Sequence, residues 1–296
     1  RDAGWEAAEL PAADGGEGTA AALLAAVGGR WVEAPASDAL GRPLTARFAL
    51  LADGTAAVDA AEAIGVRHLD PDELDPLAAT SRGAGELVAA ALAAGGTVIV
   101  GAGGTATVDG GAGALEALPP SGRGRLRVAC DVRTPWEEAA RLFGPQKGAD
   151  AAAVAALEER LDAFARSLPR DPRGVPSTGC GGGLSGGLWA ALDGELVSGA
   201  ALVLDAAGFD RRLAGADLVV TGEGRLDEQT TAGKLVAVVA ARARTAGVRC
   251  AAVVGRDALG EPAAALGLAA VLEAGDAGAL AAAGRRLARG TQAGLC

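Results

Sequence analysis

Short apolar runs closed by glycine turns recur along this chain. They alternate with longer stretches in which Ala, Val and Leu repeat at three- and four-residue spacing. The first pattern predicts strands and the second helices. Residues 5–12 (WEAAELPA) read as a strand end delivering a glycine turn, and residues 20–27 as the helix after it. From Gly29 the pattern becomes RWVEAPA, LTARFALLADG and TAAVDAAEA, short alternating segments that predict a partly antiparallel sheet. TVIV at 97–100 and RLRVACDV at 125–132 read as further strands, and 151–168 as an amphipathic helix. Beyond Leu196 the order is ALVLDAAGF as a strand, then 218–220 as a strand ended by Thr221-Gly222-Glu223-Gly224. A helix at 234–246, the strands VRCAAVVG and LAAVLEAG, and a terminal helix at 277–289 follow. Strand and helix units in that order imply a parallel sheet, and so an α/β fold.

Composition narrows the chemistry. Of 296 residues, 50% are hydrophobic but only 3% aromatic, so the interior is Ala, Val and Leu packed over 46 glycines. A net charge of −10 and so few rings argue against nucleic-acid partners and anionic membranes. The longest uncharged run, 87–108, is broken by Gly95-Gly96 and again at 101–104, so it reads as helix, turn, strand and loop, not a membrane span. Cys130, Cys180, Cys250 and Cys296 have no metal or disulfide spacing, and the single histidine, His68, lies in an acidic loop and reads as a surface residue. A reducing, cytoplasmic setting is expected. The chain starts at Arg1 and contains no methionine, so residues upstream are expected to be missing.

Candidate chemistry clusters in the glycine-rich segments. Of 27 basic residues only Lys147 and Lys234 are lysines, in FGPQKGA and DEQTTAGK, as expected where a compact ammonium is needed. Asp14 and Glu17 sit in a glycine turn before a helix, where they suit Mg²⁺ or hydroxyl groups or simply form an ordinary capped turn. Thr80, Ser81 and Gly83 stand at the start of a helix, where they cap it or line a site. The segment GAGGTA formally fits a dinucleotide fingerprint, yet a second glycine turn at Asp109 precedes the helix and no acid ends a second strand at the right distance. Gly103, Gly104, Thr105 and Thr107 are equally suited to cradling phosphate or carboxylate oxygens. No Walker A motif is present, because Gly233-Lys234 is followed by Leu235.

Taken together, ADGGEGT (13–19), DPLAATSRGAGELV (75–88), GAGGTATVDGGAGALEAL (101–118), ACDV (129–132), FGPQKGA (143–149), GCGGGLSGGL (179–188) and DLVVTGEGRLDEQTTAGK (217–234) resemble the bacterial type I glycerate kinase family, in its order and over nearly the whole chain. The resemblance implies a flavodoxin-like parallel-sheet α/β domain split by a large inserted α/β domain. The first is expected at 1–28 and 198–296 and the second at 29–197, with the active site in the cleft. It also implies ATP- and Mg²⁺-dependent phosphorylation of D-glycerate, commonly at the 2-position. Under that reading Lys147 and Lys234 hold phosphate oxygens, and Asp227 or Asp109 accepts the hydroxyl proton or holds the metal. Gly103, Gly104, Thr105, Thr107, Gly222, Glu223, Gly224 and Thr230 contact the nucleotide. Asp14, Glu17, Thr80, Ser81, Arg82 and Asp131 contact the substrate, with Asp14 and Asp131 as metal ligands and Arg82 or Arg225 available to the substrate carboxylate. Three features depart from the family. Its usual first strand and helix ahead of Asp14 are absent, Val108 replaces a polar residue, and Ser81-Arg82 replaces a hydroxyl and aromatic pair. Two other classes stay open: a non-catalytic sugar-acid or nucleotide-binding remnant, and an NAD(P)-binding oxidoreductase resting on GAGGTA.

Overall fold

The computed structural model describes residues 5–119, 122–231, 233–259 and 266–292. The chain forms two compact units, one of Ala12–Ala206 and one of Arg1–Pro11 with Ala207–Cys296. In the larger unit, β1 (Gly29–Ser37), β2 (Pro43–Leu51), β3 (Ala56–Asp59), β4 (Val98–Gly101), β5 (Leu126–Cys130) and β6 (Glu195–Ser198) lie side by side in that order. The pairs β1–β2 and β2–β3 are antiparallel, and β3 to β6 run parallel, so the mixed α/β character read from the pattern is present.

The helices of this unit are α1 (Thr19–Val27), α2 (Ala61–Ile64), α3 (Arg82–Ala94), α4 (Ala112–Ala117), α5 (Ala139–Phe143), α6 (Ala151–Ser167), α7 (Leu184–Leu192) and α8 (Gly199–Ala206). The central strands are buried on both faces, and their alternation feeds two separate cores. Val58, Val98, Val100, Leu126 and Val128 point to one, where Leu87 of α3 and Leu184 and Leu188 of α7 meet them. Ala57, Ile99 and Ala129 point to the other, against Leu23 of α1 and Val203 of α8. A third cluster gathers Val108 and Trp136 on Leu157, Leu161 and Ala165, a stripe of α6 at four-residue spacing. Asp150 caps α6 by accepting from Ala153 N at 2.8 Å.

The smaller unit holds α9 (Phe209–Leu213), β7 (Leu218–Leu226), α10 (Glu228–Thr231), α11 (Leu235–Thr245), β8 (Arg249–Asp257), β9 (Ala270–Glu273) and α12 (Ala277–Gln292). β7, β8 and β9 form a parallel sheet in that order, with Leu226, Val236, Ala252 and Val254 at its core.

Several expectations change. ALVLDAAGF begins as helix α8, because Gly199, Ala200, Val203 and Leu204 are buried at helical spacing, a distinction that a short apolar run cannot make by itself. Residues 5–12 form no strand. β7 does not stop at Val220 but runs through the glycines, pairing Gly222 with Val253 and Arg225 with Arg256. Because α1 and α8 share a core with β2 to β5, residues 12–28 and 198–206 lie with the larger sheet, whereas the boundaries that go with the resemblance put them with the C-terminal segment.

Candidate active site

In the larger unit the parallel strands end in one place, and the candidate residues meet there. Lys147 closes a tight turn at 145–147, held by Gly148 at φ +97°. A Cβ at Gly148 would lie 2.4 Å from Leu74 O, so this close approach requires glycine. The turn buries the ammonium, which donates to Thr107 O at 2.7 Å and lies 3.5 Å from Thr105 Oγ1. Burial pulls its pKa down to about 8, opposed by the charges of Asp109 and Asp131. Its protein partners are a carbonyl and a hydroxyl, so the charge is open to an anion. A cavity of about 260 Å³ adjoins it, lined by Gly103, Gly104, Thr105, Asp131 and Gln146, with Val66 and Phe143 as apolar walls. The hydroxyl of Thr107 is fully buried and finds no partner among the described residues, a deficit of about 1–3 kcal/mol unless water or a ligand oxygen reaches it.

The Asp14 turn lies against the same strand ends. Gly103 N donates to Gly15 O at 3.1 Å. A Cβ at Gly103 would stand 2.8 Å from Gly16 Cα and 3.1 Å from Asp131 Oδ2, so the absence of a side chain lets the turn approach Asp131. Glu17 is ion-paired with Arg67, which also holds Glu62 at 2.9 Å. Asp59, at the carboxyl end of β3, accepts from Gly18 N and Ala20 N, each at 2.8 Å. Burial raises its pKa to about 6, with smaller contributions in the same direction from Glu62 and Glu17. Sequence reading passed over Asp59, although it ends an apolar run as Asp131 does, which was the available signal.

Other candidates face inward. Asp109, expected as base or metal ligand, is buried and accepts from Ser81 N and Ser81 Oγ at 2.8 Å, from Gly111 N at 3.0 Å and from Gly113 N at 3.2 Å. Ser81 Oγ in turn accepts from Ala114 N. Together they tie the starts of α3 and α4, and fixed donors surround the Asp109 carboxylate. Arg82 pairs with Glu86 and Glu116 at the surface, and Thr80 Oγ1 accepts from Arg82 N. His68 is half-buried with Nε2 at 3.2 Å from Ala61 O. The GAGGTA loop follows β4, but the next helix starts only at Ala112. A dinucleotide fold needs the helix directly after the glycines, and its absence corrects that reading.

In the smaller unit, Gly222, Glu223 and Gly224 are strand residues of β7, not a turn. A Cβ on Gly222 would sit 2.2 Å from Val253 O, which is why glycine is needed in the ladder. Thr230 is buried, donates to Glu223 Oε1 at 2.6 Å and accepts from Asp227 N at 3.2 Å. Asp227 pairs with Arg225 at 3.5 Å. Lys234 is the half-buried residue that begins α11. Glu223, Asp227 and Thr230 thus form a second group, centred on the end of β7. Among the described residues no cluster of three or more His, Cys, Asp or Glu side chains is arranged to hold a metal, and no helix is long and apolar enough to cross a membrane.

Comparison with known proteins adds an independent finding. The chain matches the profile described as "Glycerate kinase family" over residues 2–123 and 119–281. It is 38% identical over 277 residues to "Glycerate kinase" of Bacillus subtilis strain 168, covering 80% of this chain and 72% of that one. It is 38% identical over 266 residues to "Glycerate 2-kinase" of Escherichia coli K12, covering 76% and 70%. A crystal structure of a candidate glycerate kinase 2 from Salmonella typhimurium LT2 superposes with a TM-score of 0.74 at 33% identity, covering 96% of this chain and 88% of that one.

Proposed function

The chain belongs to the glycerate kinase family, and from that premise we propose that it transfers a phosphoryl group from ATP to D-glycerate with Mg²⁺ as counter-ion, the 2-phospho isomer being the favoured product. The observation that carries this reading is the buried Lys147 ammonium beside a cavity of about 260 Å³. Its hydrogen-bond partners are the Thr107 carbonyl and the Thr105 hydroxyl, and an unpartnered threonine hydroxyl lies at its acceptor residue. Those features fit an anion. Phosphoryl transfer asks a protein chiefly for positioning and charge neutralisation. ATP supplies the phosphoryl group and a bound Mg²⁺ neutralises its oxygens.

In this reading Lys147 and Lys234 take phosphate oxygens, and the 103–107 loop adds its threonines and main chain. Asp227 is the first choice for the proton of the glycerate hydroxyl, because Asp109 is already saturated by four donors. Asp14 and Asp131 suit a small hard cation that keeps waters and phosphate oxygens in its shell and takes only one or two carboxylates. Glu223 and Thr230 hold the end of β7 in shape. The negative surface and the three buried free cysteines, Cys130, Cys180 and Cys250, suit a cytoplasmic enzyme of organic-acid metabolism with small-molecule partners. The test is ADP release on addition of D-glycerate, ATP and Mg²⁺, with ³¹P NMR to assign the product. Absence of glycerate-dependent ADP from folded protein would sink the proposal.

A further inference from the structure

The loop carrying Asp14 and Glu17 leads into α1 without a capping side chain of its own, because the residue at the helix start is Gly18, in the left-handed region at φ +92°. Helix starts leave N–H groups unsatisfied, and a side chain normally placed at that first position accepts from them. Here the acceptor comes from about forty residues away. Asp59, only 3% exposed, spends one carboxylate oxygen on Gly18 N and the other on Ala20 N. The same loop is held from the neighbouring strands by Gly103 N on Gly15 O and by backbone contact of Gly15 with Ala129 and Cys130, where even a Cβ would come within 2.9 Å. A Cβ added to Gly101 would meet Gly15 O at 3.1 Å and Asp59 Oδ1 at 3.2 Å. The tether therefore sits directly beneath the turn whose Gly15 and Gly16 abut Gly103.

We infer that Asp59 is a positioning residue of the active site: by holding the Gly18 and Ala20 amides from the end of β3, it sets the Asp14–Glu17 turn in register with Asp131 for the sugar acid and its cation. A cap from Ser or Asn at position 18 would satisfy the helix without burying a carboxylate. A carboxylate reaching across from the sheet also fixes where the turn lies relative to the strand ends, and such support is what a precise site requires. The inference rests on the reading of Asp14 as a ligand of the substrate or its cation.

Native-state hydrogen exchange and steady-state kinetics on the full chain and on Asp59→Asn test it. In the parent, the Gly18 and Ala20 amides should be protected as well as those of β5. Exchange there at the rate of a free chain would overturn the tether without recourse to any variant. In Asp59→Asn, protection at residues 15–20 should fall at least tenfold while β5 is unchanged, and KM for D-glycerate should rise at least tenfold while KM for ATP stays within twofold. A loosened loop with an unaltered glycerate KM would make Asp59 a helix cap only and overturn its role in positioning. Should the parent turn over no glycerate at all, the kinase reading fails by itself. The exchange arm then decides the tether, with lost protection supporting it and retained protection refuting it.

Discussion

Replacing Lys147 with methionine keeps the unbranched stem and removes the charge, and the structure lets the consequence be worked out. Burial moves the ammonium from 10.5 to about 8, which at about 1.4 kcal/mol per tenfold is about 3 kcal/mol set against the folded state at neutral pH. The variant recovers that and loses the donor on Thr107 O at 2.7 Å, leaving a buried carbonyl unpaired at a cost of about 1–3 kcal/mol. The two effects nearly cancel. Lys147→Met should therefore unfold in urea, followed by tryptophan fluorescence, within about 2 kcal/mol of the parent at pH 7. Its glycerate-dependent ADP release, in a coupled assay, should fall about 10²-fold or more. The pH dependence has a definite sign. Between about 8 and 10.5 the folded parent binds fewer protons at this group than the unfolded chain, so its stability rises with pH. The parent should gain about 2 kcal/mol on the variant from pH 7 to pH 9.5. A variant more than about 3 kcal/mol less stable than the parent, with near-normal turnover, would refute the reasoning and make Lys147 a structural pin.

Three further outcomes are expected. Gly182→Ala places a Cβ about 2.0 Å from Thr107 O at a φ of +68°. It should destabilise by about 1–3 kcal/mol and lower turnover by shifting the carbonyl that holds Lys147, and an unchanged melting temperature would contradict this. Asp59 has its folded pKa raised from 3.8 to about 6, so its contribution to stability is complete below 3.8 and is lost as pH rises through 6. The parent should gain about 1.4 kcal/mol on Asp59→Asn between pH 7.5 and pH 5 in urea titrations, and a pH-independent difference would contradict the burial of that carboxylate. Lys234→Ala should lower kcat about 10²-fold, with poor rescue by Arg because a planar fork does not replace a compact charge. Normal kcat in that variant would reduce Lys234 to the start of α11.

Sequence alone determined what depends on local pattern and on residue chemistry. The alternating runs at 29–59 became β1 to β3, the 3.6-residue stripe of Leu157, Leu161 and Ala165 became the buried side of α6, and two lysines in an arginine-rich chain marked two candidate segments. Tertiary structure decided whatever depends on partners distant in the chain. ALVLDAAGF is apolar enough for either period, and only its burial against Ile99 and Leu23 makes it a helix. Gly222 and Gly224 look like a turn until β8 pairs alongside them and demands close backbone approach. Asp109 stands out in sequence and Asp59 does not, yet four amide and hydroxyl donors turn the first inward while the second reaches across to the Asp14 loop. A carboxylate's role is set by which donors surround it, and those donors are brought together only when the strands pair.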